Sequence, residues 1–247
     1  MLARFFFTLC QYFRARNARP CKIRNSKMTI VKRQMQLHHA VSVIGGFWGG
    51  YTVFNHLDIF ANAQTGNLIK LIIGLCRFEF ESVAYMAAYF ALYFLGNAFY
   101  AVARKKLKTS MKIVSFIVSS LGIIATGLLC FTGNSLWIVM PIFFIAPIQW
   151  NAFKTAGGNS SSTIFSSNNV RQAVVLLTKY IMDKNQKDLR NAKFYWATLL
   201  CFHTGVAASV ILSLPFGIHS IWFCLIFVGI AVVFYYRYQT AKIKAFT

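Results

Sequence analysis

The stretch RKKLKTSMK, Arg104 to Lys112, decides how the rest of the chain is folded. It sets five basic residues and no acid between two long apolar runs. In a membrane protein a short loop of this kind stays on the cytoplasmic side, because Lys and Arg resist translocation. Any count of membrane crossings must keep this loop there.

That the chain belongs in a membrane follows from composition. Of its 247 residues 57% are hydrophobic and 17% aromatic, and 26 Lys and Arg face only five Asp and Glu. Charged residues make up 13% of the chain, about half the usual share of a soluble domain. The charges gather in blocks between apolar stretches too long for outer-membrane strands and without their alternation. Helices are then the expected spanning element, since they satisfy every backbone group internally. The fold class expected is an all-α polytopic membrane protein.

Six stretches have the roughly 20 apolar residues that a crossing needs: about 37–55, 82–102, 113–131, 136–153, 194–214 and 218–236. Two more, 60–76 and 164–182, are apolar but short and polar at one end. If both crossed, the 104–112 block would face outward, against the charge rule. If neither crosses, this block, the N-terminal arm, Lys184, Lys187, Arg190 and Lys193, and the C-terminal Arg237, Lys242 and Lys244 share one side. The outer loops, TGNS at 132–135 and PFGIH at 215–219, then hold no Lys or Arg. Six crossings and two short re-entrant or interfacial helices are expected, with both termini cytoplasmic. The parts are a basic arm at 1–35, a membrane domain at 36–238 and a tail at 239–247.

The two halves, about 36–131 and 136–238, echo each other. VIGGFWGGYTVF is followed by QTGNLIKLIIGL, and FFIAPIQWNAF by SSNNVRQAVVLL. Thr65-Gly66-Asn67 aligns with Ser167-Asn168-Asn169, and three spans per half would make the repeat inverted. In secondary transporters with this plan, broken helices meet near the midplane and their N-termini face the solute.

The candidate solute-binding residues come from these elements. Gln64, Thr65, Gly66, Asn67 and Lys70 open the first short helix; Ser167, Asn168, Asn169 and Arg171 open the second. Gln149 and Asn151 add amides beside Pro147 in the fourth span. A helix N-terminus inside the membrane offers unpaired N–H groups and a positive dipole end to a polar or anionic solute. The alternative is plain capping by Thr65 or Asn67. Asp58 and His56 are candidates for a proton relay. The Gly45, Gly46, Gly49 and Gly50 cluster reads as close helix packing, and the second Thr-Gly-Asn, at 132–134, as a turn.

Other classes find less support. Basic blocks flanking apolar spans account for the net charge of +21 without nucleic acid. The six cysteines, at 10, 21, 76, 130, 201 and 224, form no Cys-x-x-Cys pair, so neither a disulfide framework nor a metal site is expected. No cofactor is implied, and no hydrolase, zinc-protease or phosphate-loop motif occurs. The arm, with nine basic residues and no acid in 35, suits anionic lipid, although an organellar presequence shares that composition. The partners expected are the bilayer, anionic lipid and a small polar or anionic solute, with a homo-oligomer compatible. The reading is a small-solute transporter; the alternative is a membrane scaffold or assembly factor.

The Gly-rich first helix, the Thr-Gly-Asn before a short helix and the later glutamine resemble the YoaK family of uncharacterised bacterial membrane proteins, from about Val41 to Tyr235. Gly45-Gly46-Phe47 resembles its small-Gly-aromatic opening, Thr65-Gly66-Asn67 its tripeptide and Gln149 its glutamine. Gly49 stands where the family usually carries an acid, and Trp150 interrupts the Gln-Asn pair. The resemblance implies a bacterial inner-membrane location and no established activity.

Overall fold

The computed structural model describes residues 2–56, 59–133 and 135–246, with side-chain surroundings from Ser26 to Ala245 except Ser135. Helix dominates. α1 spans Leu2–Asn55, so the basic arm and the first expected span form one continuous helix. α2 (Gln64–Cys76) and α3 (Phe80–Lys106) follow, then α4 (Met111–Leu129), which ends in a 3-10 turn at Cys130–Thr132. The second half holds α5 (Ser135–Ile138), α6 (Met140–Ala152) and α7 (Ser167–Asp183). α8 (Gln186–Phe216) passes through a 3-10 segment, Gly217–Phe223, into α9 (Cys224–Phe246).

Among the described residues, three helical segments are long and apolar enough to cross a membrane: Phe80–Lys106, Met111–Thr132 and the continuous Gln186–Ala245. The last includes both the fifth and the sixth expected stretches. Their outer faces are apolar: Leu121, Leu200 and Leu214 are each at least 60% exposed. Water would make such faces costly, whereas lipid tails would cover them. The fourth stretch, 136–153, is broken between α5 and α6, where Pro141, at the start of α6, lacks a donor for the preceding turn. At 13 and 17 residues, α2 and α7 are roughly 20 and 26 Å long at 1.5 Å per residue. Both fall short of the roughly 30 Å hydrocarbon core.

Helix α1 forms the centre of the molecule. Leu37, Val41, Ile44, Phe47, Trp48 and Tyr51 are fully buried, and α8 and α9 pack along the helix. Helix α6 of the second half packs in the same way across the halves, against α3 and α4. Likewise α2 lies on α3 and α7 on α8, while α4 meets α9. These four pairings match when α1, α2, α3 and α4 are set against α6, α7, α8 and α9. One element was not expected from the sequence. A two-stranded hairpin, β1 (Thr155–Ala156) and β2 (Asn159–Ser160), is closed by Gly157 and Gly158 at φ 58° and 83°. Two glycines at positive φ are the usual signal for such a turn.

Candidate functional site

The site is built where the linkers preceding α2 and α7 cross the C-terminal part of α1. Gly45 and Gly46 make that crossing close enough. A methyl group on Gly45 would collide with the Thr163 carbonyl, and one on Gly46 with the Phe202 carbonyl of α8. These two glycines are packing residues, as the small-residue pattern suggests. Gly49 differs from them, because its nearest neighbour is the side chain of Asn62, 2.8 Å from where a Cβ would stand. Asn62 is buried, and its amide Nδ2 donates to the Gly45 carbonyl at 2.6 Å. The first linker is thereby fastened to α1.

Each short helix is tethered to its own linker by one asparagine. Asn67 Nδ2 donates to the Phe60 carbonyl at 2.7 Å and to Ala63 at 3.3 Å. Asn169 Nδ2 donates to the Ser162 carbonyl, also at 2.7 Å. Both bonds reach back seven residues, and the two asparagines are the pair aligned in the sequence. They are 2% and 1% exposed, so they serve the linkers rather than present themselves to solute. Neither Thr65 nor Asn67 is a cap: α2 begins after Ala63 and α7 after Ser166, and neither start has a side-chain cap hydrogen bond. The capping alternative is corrected on this point.

The tethers differ in one respect. Asn169 Oδ1 accepts from Ser161 Oγ at 2.9 Å and from the Ser162 N–H at 3.3 Å. Ser161 Oγ is also 3.0 Å from His38 Nε2, so a buried network joins α1 to α7. Asn67 Oδ1 is buried without a hydrogen-bond partner, and so are Asn62 Oδ1, both amide atoms of Gln64 and Thr163 Oγ1. In the register that pairs Asn67 with Asn169, apolar Ile59 stands where the second linker has Ser161. The sequence reading passed over His38, Ser161 and Ser162. The only signal was the serine run 160–162 before a short helix.

Between these linkers lies a cavity of about 590 Å³. Phe54, Phe60, Phe165 and Phe202 supply aromatic wall, and Gly49 and Asn62 border it. Ala63 and Ser166, the residues at which α2 and α7 begin, line the same space. Two uncapped helix N-termini therefore open on one cavity, each with free N–H groups and about half a positive charge. The described lining contains no ionisable side chain.

Among the residues singled out from the sequence, Ser167 lines the cavity. Thr65 and Gly66 are exposed, and Gln64 is half-buried beside the cavity's edge residue Ala63. Lys70 is half-buried further along α2. Arg171 is exposed and donates to Asn168 Oδ1 at 3.1 Å. Gln149 is buried and donates to the Val41 carbonyl of α1 at 3.3 Å. Asn151 Nδ2 donates to Asn97 Oδ1 and to the Pro147 carbonyl, both at 2.9 Å, joining α6 to α3. Gln149 and Asn151 thus join α6 to α1 and to α3, away from the cavity lining. His56 is buried beside the Tyr51 ring, 5.1 Å between centroids; Asp58 lies outside the described residues. Gly133 takes φ 71°, as a turn requires, while Asn134 lies outside the described residues. No group of three or more His, Cys, Asp or Glu gathers among the described residues.

A family model described as "Protein of unknown function (DUF1275)" matches residues 37–234. The chain belongs to this family. The matched region starts at Leu37, where the buried part of α1 begins, and ends in α9. It takes in both linkers, both short helices and the cavity. No curated protein and no solved structure matches the chain. The site in this DUF1275 chain therefore rests on its own geometry.

Proposed function

We propose that this chain is a small-solute membrane transporter whose binding site is the cavity between the two linkers. The observation that carries the reading is that α2 and α7 begin, uncapped, at the wall of one cavity. Free N–H groups and positive dipole ends recognise polar or anionic groups without a charged side chain. The unpartnered amide atoms of Asn62 and Gln64 lie on the same linker and first turn. Buried polar groups left unpaired are uncommon and gather at functional places. The matched packing of the halves fits an inverted repeat with six crossings, the plan in which opposed broken helices surround a solute. We place the protein, as a YoaK-like member, in a bacterial inner membrane with both termini cytoplasmic.

A non-transporting scaffold is the second reading, and the aromatic wall of the cavity favours it. Flux from proteoliposomes separates the two. Purified chain should give saturable flux for at least one class in a panel of labelled amino acids, sugars and organic acids. Val210→Trp and Ala63→Leu, which fill the cavity, should abolish that flux in protein that still elutes as a single folded species. Flux no greater than in protein-free vesicles for every class, or flux unchanged in both filled variants, would sink the transporter.

A further inference from the structure

A second recessed surface lies apart from the transport site, where the middle of α1 meets the C-terminal part of α9. α1 and α9 pack together along their apolar lengths and leave a cleft of about 850 Å³ near their charged ends. Ser26, Thr29 and Arg33 line it from α1; Arg237, Thr240 and Lys244 line it from α9. Both triplets run i, i+3, i+7, which puts each on one helical face. The two faces oppose each other, so three cations and three hydroxyls surround one space. Among the described residues no carboxylate pairs with these cations, the ion pair present being Arg77–Glu79 elsewhere. Arg33 Nη1 does reach Gln36 Oε1 at 3.1 Å, and Arg237 sits 5.8 Å over the Phe234 ring. Neither neighbour neutralises the charge.

Depth indicates what the cleft would meet. The apolar stretches of these helices end near Leu37 and Tyr236. At 1.5 Å per residue Arg33 lies about 6 Å beyond that edge, and Lys244 about 12 Å beyond it. The headgroup layer extends roughly 5–8 Å past the hydrocarbon, and a lysine side chain can reach back into it. Guanidinium forks with nearby hydroxyls suit the oxygens of a phosphate.

We propose that this cleft binds a phosphate group, presented by the headgroup of an anionic phospholipid. The site is shared by α1 and α9, which distinguishes it from a basic arm spread over lipid. The test uses the full chain in dodecyl maltoside and phosphatidylglycerol carrying a fluorophore on its acyl tail. One variant carries Arg33→Gln, Arg237→Gln and Lys244→Gln. A second removes equal charge elsewhere, with Arg104→Gln, Lys105→Gln and Lys106→Gln. The cleft variant should lose roughly a hundredfold in affinity, at about 1 kcal/mol for each of three cations, the control variant much less, and phosphatidylcholine should compete poorly. Equal loss in both variants, no loss in the cleft variant, or competition by phosphatidylcholine as strong as by phosphatidylglycerol overturns the proposal. Inorganic pyrophosphate separates the sources: displacement of the labelled lipid at equal concentration would overturn lipid as the supplier of the phosphate.

Discussion

The paired asparagines allow a prediction in which two chemically identical substitutions differ in cost. Asn169→Ala removes a donor to the Ser162 carbonyl and an acceptor from the Ser162 N–H and Ser161 Oγ. Two backbone groups are then left buried and unpaired, each costing about 1–3 kcal/mol. Ser161 keeps His38 as a partner, so the expected loss is about 2–6 kcal/mol. Asn67→Ala also removes donations, one at 2.7 Å and one at 3.3 Å. It removes with them an Oδ1 that already lies buried without a partner. Relief of that cost offsets part of the loss, leaving about 0–2 kcal/mol. Asn169→Ala should therefore be the worse by roughly 2 kcal/mol. Reversible unfolding of each variant in mixed micelles, at one fixed detergent composition, measures the difference. Equal costs, or a larger one for Asn67→Ala, would refute the asymmetry between the two linkers.

Glycines supply a contrast of the same kind. Gly46→Ala drives a methyl into the Phe202 carbonyl and should cost about 1–3 kcal/mol, whereas Gly66→Ala, with nothing within 4 Å, should stabilise α2 by about 0.5–1 kcal/mol; thermal unfolding of the two variants reads both. Single cysteines in a cysteine-free background test sidedness: His219→Cys should label from outside and Lys106→Cys only after the membrane is opened. Labelling of Lys106→Cys from outside would put the 104–112 block on the wrong side and end the six-crossing proposal.

Much of the architecture was legible in order and length. The runs 82–102, 113–131, 194–214 and 218–236 read as helices because long apolar stretches have few other ways to satisfy their backbones. The shortness of α2 and α7 was legible for the same reason, as was the matching of Asn67 with Asn169. The hairpin at 155–160 escaped notice because two residues per strand carry no periodicity, and only its Gly-Gly turn was there to read.

The roles of individual polar residues could not be read this way. Gln149 and Asn151 stand in an apolar run exactly as solute ligands would, yet they bond α1 and α3. An amide in a helix looks the same in sequence whichever neighbour it faces. Nothing in the sequence ties His38 to the 161–169 segment, which folds against it through Ser161. Composition, charge and segment length fixed the helices and their short interruptions, because these depend on local backbone and solvent physics. Only the tertiary structure decided that two linkers cross at α1 and open two helix ends on one cavity, because that depends on contacts between residues about a hundred positions apart.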